Sequence, residues 1–222
     1  MEKWESHFKN RVLESLTEQK SDPAHDLGHY ERVVASAKKL ANEEISTGQS
    51  VQLNVVVAAA WLHDLANIAK NDPRRKQASK VSAEIAIRYL KEIGYPAEDY
   101  DKIAHAIEAH SYSAGIHAHT LEARIVQDAD RLDALGAIGV ARLFATSVVF
   151  GSAFYDPSDP FAKTNRPLND QKFATDHFRV KLFKIGETLA TPSGKREAES
   201  RIQFMHTYLD QLSSEISMTA SF

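Results

Sequence analysis

The stretch VVVAAAWLHDLAN, Val55 to Asn67, decides how this chain must fold. An unbroken apolar run from Val55 to Leu62 ends in a histidine and an aspartate side by side. Such a run belongs in a protein interior. An unpaired carboxylate there costs roughly several kcal/mol, so His63 and Asp64 need partners that the run itself does not contain.

Nearly every periodic stretch of the chain repeats like a helix. ERVVASAKKLANEE places Val33, Ala37, Leu40 and Ala41 on one stripe, and SAEIAIRYLKEIGYP does the same with Ala86, Tyr89, Leu90 and Ile93. The latter ends in a glycine and then a proline, the order that stops a helix. DYDKIAHAIEAH sets Ile103, Ile107 and His110 on a common face. The segment from Thr120 to Val149 is long and largely apolar, softened by Gly136 and Gly139, and Ile202, Met205, Leu209, Leu212 and Ile216 form a clean stripe near the end. No segment alternates convincingly at period two, and no Asn-Gly or Asp-Gly hairpin turn occurs. The expectation is an all-α chain, one domain over 1–222, with a helical core at about 20–150 and additional C-terminal helices at about 172–217. Between these lies one long irregular stretch, about 150–171, carrying three prolines among Asp, Asn and Ser; its length suits a functional loop.

Composition narrows the function. With 43% hydrophobic and 26% charged residues the 222-residue chain reads as an ordinary soluble globular protein. A net charge of −3 supplies no basic field for nucleic acid or an anionic membrane, so an anionic ligand must be met by a local cation cluster or a metal. The absence of cysteine removes disulfides, thiolate zinc sites, iron–sulfur clusters and cysteine nucleophiles together. The N-terminal MEKWESHFKNRVLESLTEQK has no apolar signal core, and no segment approaches the roughly 20 apolar residues that span a bilayer, which makes a cytoplasmic location the default.

The chain has ten histidines, and histidines and acids gather in four places. DPAHDLGHYERVV has His25 and His29 four residues apart, with Asp22-Pro23 or Asp26 able to cap the helix that follows. His63-Asp64 is the second, HAIEAHSYS with His105 and His110 the third, and VQDADRLDALG with Asp128, Asp130 and Asp133 the fourth. Taken singly, each has an ordinary reading: a hydrogen-bonded core histidine, or a carboxylate at a helix start. Together they adjoin apolar helical stretches, and carboxylates that converge in a dry site need a shared cation. Two Asp charges would cancel a divalent metal ion.

The pattern H…HD…D, realised as His29, His63-Asp64 and Asp130, resembles the signature of the HD-domain metal-dependent phosphohydrolase superfamily. The surrounding AHDLGHYERV, WLHDLA, AIEAHSYSA and EARIVQDADRLDALGAIGVAR are similar to its small bacterial YedJ-like branch. The likeness continues through DPFA, RPLND, DHFRVKL and TPSGK, covering almost the whole chain.

That resemblance implies an HD-type helical bundle with one divalent ion held by His29, His63, Asp64 and Asp130, with Asp128 behind them. Mixed His/Asp ligation favours Mn, Fe, Co or Ni over Mg, with Zn admissible. The implied activity is hydrolysis of a phosphoester or phosphoanhydride of a small metabolite, most plausibly a nucleotide, by a metal-activated water. Some relatives hold a second metal with further histidines, but RRKQASKVSAE after the HD pair has none, which favours one ion. Asn67 stands where certain HD nucleotidases carry a glutamate, leaving the general base among Asp133, Glu108 and Asp128. Arg131, directly after Asp130, and His110 are candidates to act on the phosphate or leaving group. Lys181, Arg166 and the basic run Lys70, Arg74, Arg75 and Lys76 are candidates to bind it. Phe150, Phe154, Tyr155 and Phe161 could flank a base. The alternatives are a nucleotide sensor that keeps the site without efficient catalysis, and a structural His/Asp knot. No nucleic-acid or membrane partner is expected, and a homodimer is left open.

Overall fold

The computed structural model describes residues 2–18, 26–66, 68 and 73–219. Regular structure among them is helical, apart from one isolated parallel bridge between Ala153 and Phe173. The helices are α1 (Glu2–Glu18), α2 (Leu27–Ser46), α3 (Leu53–Leu62), α4 (Ala78–Glu92), α5 (Tyr100–His110), α6 (Leu121–Leu132), α7 (Gly136–Phe150), α8 (Ala174–His177), α9 (Phe183–Gly186) and α10 (Pro192–Thr219). A π-helical turn, Phe178–Leu182, joins α8 to α9. No single described helix is long and apolar enough to cross a membrane. Residue contacts divide the chain into two units: Met1–Asp130 with Ala190–Gly194, and Arg131–Leu189 with Lys195–Phe222.

The first unit is built around α3, which α1, α2, α4 and α5 pack. Every residue from Val55 to Leu62 is buried. The helix therefore has no polar face, which is what its continuous apolar run demands. Burial of each Val or Leu contributes roughly 1.5–3 kcal/mol, far more than the helix propensity of β-branched valines costs. Trp61 keeps its one polar atom satisfied by donating from Nε1 to Glu5 (3.3 Å), a carboxylate that also takes two hydrogen bonds from Lys38. Around it, α2 buries Val33, Ala37, Leu40 and Ala41, the stripe read from the sequence, together with Val34.

The residues Ala190–Gly194 close this unit through two buried carboxylates. Asp128, fully buried on α6, accepts from the amides of Ala190 (2.9 Å) and Thr191 (2.8 Å) and from the Thr191 hydroxyl (2.7 Å). Glu44 on α2 accepts from the amide and hydroxyl of Ser193, at 2.9 and 2.6 Å. TPSGK is thereby explained: Thr191 caps α10 by accepting from the Gly194 amide, Pro192 occupies the first helical position, and the carboxylates complement the positive helix start. Gly194 has no room for a side chain, since a Cβ would collide with the Asp128 carboxylate.

In the second unit the long apolar stretch read from the sequence breaks after Leu132. Gly136 restarts it as α7 at φ +70, a left-handed conformation that cannot continue an α-helix. Its amide donates to the sulfur of fully buried Met205 on α10. The irregular stretch expected at about 150–171 is present between α7 and α8. It is organised by Arg166, whose guanidinium makes a two-pronged pair with buried Asp176 (2.7 and 2.8 Å) and donates to the Asp159 carbonyl.

Candidate metal centre

Three helix termini in the first unit bring the site together. Asp26 caps α2 by accepting from the His29 amide (2.9 Å), fixing the turn on which His29 stands. His63 follows the last residue of α3, and Asp130 lies near the end of α6. Both imidazoles are buried, at 2% and 1% exposure, whereas the Asp130 side chain is 30% exposed. The site is thus open on its carboxylate side.

The donor atoms converge. His29 Nε2 and His63 Nε2 are 3.3 Å apart, and Asp130 Oδ1 lies 3.6 Å from the first and 3.8 Å from the second. Among the described residues, this is the group of three such side chains whose ligand atoms all fall within 4.8 Å of one another. The His63 ring shows what that proximity means. Its Nδ1 is 2.8 Å from the Ala60 carbonyl, which can only accept, so Nδ1 carries the proton and Nε2 presents a lone pair to the cluster. A lone pair and a carboxylate oxygen directed into one buried space call for a cation. The point equidistant from the three atoms lies about 2.1 Å from each, the length of a bond from a first-row divalent ion to imidazole nitrogen or carboxylate oxygen. These residues fit a divalent metal.

His110 repeats the device used by His63. It ends α5, and its Nδ1 hydrogen-bonds back to the Ile107 carbonyl three residues earlier (2.5 Å), leaving Nε2 as the acceptor. Its ring meets the His63 ring edge-on at 4.9 Å. Burial, followed by the neighbouring His63, holds the His110 imidazole below its ordinary pKa, against the opposing pull of Asp130 and Asp64. Asp64, half-buried, has its carboxylate outside the triangle of donor atoms but close enough to act on both His110 and Tyr30.

Two contacts around the site had no signal in the sequence pattern. Tyr30, buried between the two rings, donates its hydroxyl to the Asp64 backbone carbonyl (2.7 Å). Burial, and then the charges of Asp64 and Asp130, push that hydroxyl far above its usual pKa, which makes it a permanent donor. Gln127, one helical turn before Asp130, donates to the Ala109 carbonyl (2.6 Å) and ties α6 to the end of α5 that carries His110.

The remaining candidates fall elsewhere. Asp128 is bound to the start of α10 as described, and Asp133 pairs with Arg142. Arg131 donates to the Thr188 carbonyl (2.6 Å), Arg166 organises its loop, and Lys181 is exposed on the π-helical turn. Arg74 and Lys76 are exposed on the 3₁₀ turn Pro73–Gln77, and Glu108 is half-buried on α5. His25, Asn67, Lys70 and the side chain of Arg75 lie outside the described residues. His105 stacks on His119 at 3.6 Å, apart from the triangle. Of the aromatics, Phe150 and Phe154 are largely exposed, and Phe154 leans edge-on against Phe144.

Residues 25–135 match the family model of the HD domain. The chain belongs to the HD domain family. Over 96% of its length it superposes on an HD-superfamily hydrolase from Bacillus thuringiensis with a TM-score of 0.74, covering 97% of that chain at 28% identity. Bacillus subtilis YpgQ, crystallised in complex with ADP, aligns over 96% of this chain and 95% of its own, with a TM-score of 0.70 and 28% identity. A structure from Lactobacillus plantarum is 31% identical, with a TM-score of 0.70, and covers 98% of this chain and 99% of its own.

Proposed function

We propose that this protein is a metal-dependent phosphohydrolase that cleaves a phosphoester or phosphoanhydride of a small metabolite, most specifically a nucleotide. The observation that carries the reading is the triangle of His29, His63 and Asp130, whose donor atoms are spaced for one divalent ion. The relatedness to an HD-superfamily hydrolase supports the reaction class, and the ADP complex of YpgQ supports the substrate class.

His29, His63 and Asp130 would hold the ion, and Asp64 would complete the set from the residue next to His63. The mixture of imidazole and carboxylate suits Mn, Fe, Co or Ni better than Mg. Once bound, the ion supplies a water of lowered pKa and a positive contact for a phosphoryl oxygen. In the reaction the bond from phosphorus to the leaving oxygen breaks, that oxygen departing with a proton, as water forms its bond to phosphorus and gives up a proton of its own. His110 is suited to take that proton: it is neutral, its Nε2 is the basic atom, and its Nδ1 is tied to Ile107.

The test is a screen of nucleoside mono-, di- and triphosphates with protein loaded with Mn²⁺ or Co²⁺, following released phosphate and pyrophosphate. Turnover that a chelator abolishes and that Asp130→Asn lacks is the expected result. No turnover of any phosphoester by metal-loaded protein overturns it.

A further inference from the structure

Tyr30 is not among the candidate ligands, yet its ring touches both histidines of the centre. Its ring lies against His29 at 5.6 Å and 68°, and against His63 at 5.3 Å and 50°. It is 2% exposed, so neither packing surface can be exchanged for water. Its hydroxyl donates to the backbone carbonyl of Asp64 at 2.7 Å.

The position of that carbonyl matters. α3 ends at Leu62, and the carbonyls at the end of a helix have no partner within it. His63 keeps a helical backbone (φ −64, ψ −32), and its ring bonds back to Ala60. Beyond it the chain leaves the helix, and the next residue, Asp64, is the acid of the HD pair. The Tyr30 hydroxyl meets the chain at this departure. Because Tyr30 is adjacent in sequence to His29, one residue connects the start of α2 to the turn after α3. Gln127 makes a link of the same kind, side chain to backbone carbonyl, from α6 to the end of α5 that carries His110.

We infer that Tyr30 is a positioning residue for the metal centre, its hydroxyl setting the His63-Asp64 turn at the distance from His29 that a divalent ion requires. This rests on the metal-centre reading above. Partners that orient metal ligands from behind typically change affinity by about 10–100-fold when removed, and the lower end is expected here because the ring contacts survive in the conservative variant.

The experiment compares the full-length protein with Tyr30→Phe and with a variant carrying 4-aminophenylalanine at position 30, which restores a donor at the same place. Co²⁺ is titrated into each metal-free protein, reading the visible d–d bands and the dissociation constant, with helical circular dichroism as the control for folding. The expected result is a folded Tyr30→Phe protein that binds Co²⁺ about tenfold more weakly with altered d–d bands, and recovery of affinity and bands in the amino variant. Wild-type affinity and bands in Tyr30→Phe overturn the inference. So does failure of the folded amino variant to recover, and so does loss of the helical signal in Tyr30→Phe, which would make the hydroxyl a folding element. If the wild-type protein itself binds no Co²⁺, the metal-centre reading falls and takes this inference with it, an outcome distinct from the other three.

Discussion

The Nε2 atoms of His29 and His63 stand 3.3 Å apart, although 33 residues separate them in the chain between α2 and α3. At least one of them bears a lone pair, since the His63 proton is committed to Ala60. Metal loading should therefore stabilise the fold. At free Mn²⁺ or Co²⁺ about 100 times its dissociation constant the gain is about 2.7 kcal/mol, or about 5–10 °C in melting temperature for a chain of this size. His63→Ala is expected to abolish that rise and weaken metal binding by at least about 100-fold, checked by calorimetric titration, while the helical signal persists.

Asp128 and Asp130 sit two residues apart and should separate cleanly by mutation. Asp128→Ala leaves the buried amide and hydroxyl of Thr191 without their acceptor, at about 1–3 kcal/mol each, and frees the part-buried Ala190 amide, so a loss of at least about 2 kcal/mol is expected in denaturant unfolding. Asp130→Asn should leave stability nearly unchanged and remove metal binding. Stability and metal binding moving together in both variants would contradict this division of labour.

Gln127→Leu keeps the volume of the side chain and removes the donor to Ala109. The ligand triangle does not include this contact, so metal affinity should stay within about twofold. If His110 takes the proton, its altered placement should lower kcat for a nucleotide substrate by roughly tenfold with KM little changed, read from steady-state kinetics.

The loop after α7 should be acid-sensitive through Asp176. Burial pushes this carboxyl up, but the Arg166 guanidinium and the Asn169 amide outweigh it and hold its pKa below the ordinary 3.8. A depressed folded value means that the stabilisation is fully present above the unfolded pKa and is lost as pH falls through the folded one. Melting temperature should thus be insensitive to this group from about pH 7 to 5 and fall below about pH 4. Asp176→Asn should cost about 3 kcal/mol at neutral pH and flatten that acid limb.

Much of this was legible in the sequence. The apolar run before His63 needs a buried helix, and the stripes of α2, α4 and α5 need partners, so an all-helical arrangement around α3 follows from periodicity alone. Chemistry required that carboxylates converging beside apolar helices share a cation, whereas the choice of His29, His63 and Asp130 among the clustered acids and histidines came from the resemblance to the HD-domain superfamily. What could not be read were the contacts that depend on tertiary approach. Asp128 and Asp130 are equivalent by composition, and only the arrival of Thr191 separates them. Tyr30 reads as one more apolar residue of α2 until its hydroxyl is seen to meet a backbone carbonyl. Arg166 reads as a free cation until Asp176 is placed against it.

The α3 helix, buried without a break from Val55 to Leu62, has a kinetic corollary. Its peptide protons reach solvent only when the surrounding helices come apart, so they should be among the slowest in the molecule to exchange with deuterium. His63 and Asp64 are attached to the end of that slowly opening rod, which means the centre is shaped before any ion arrives.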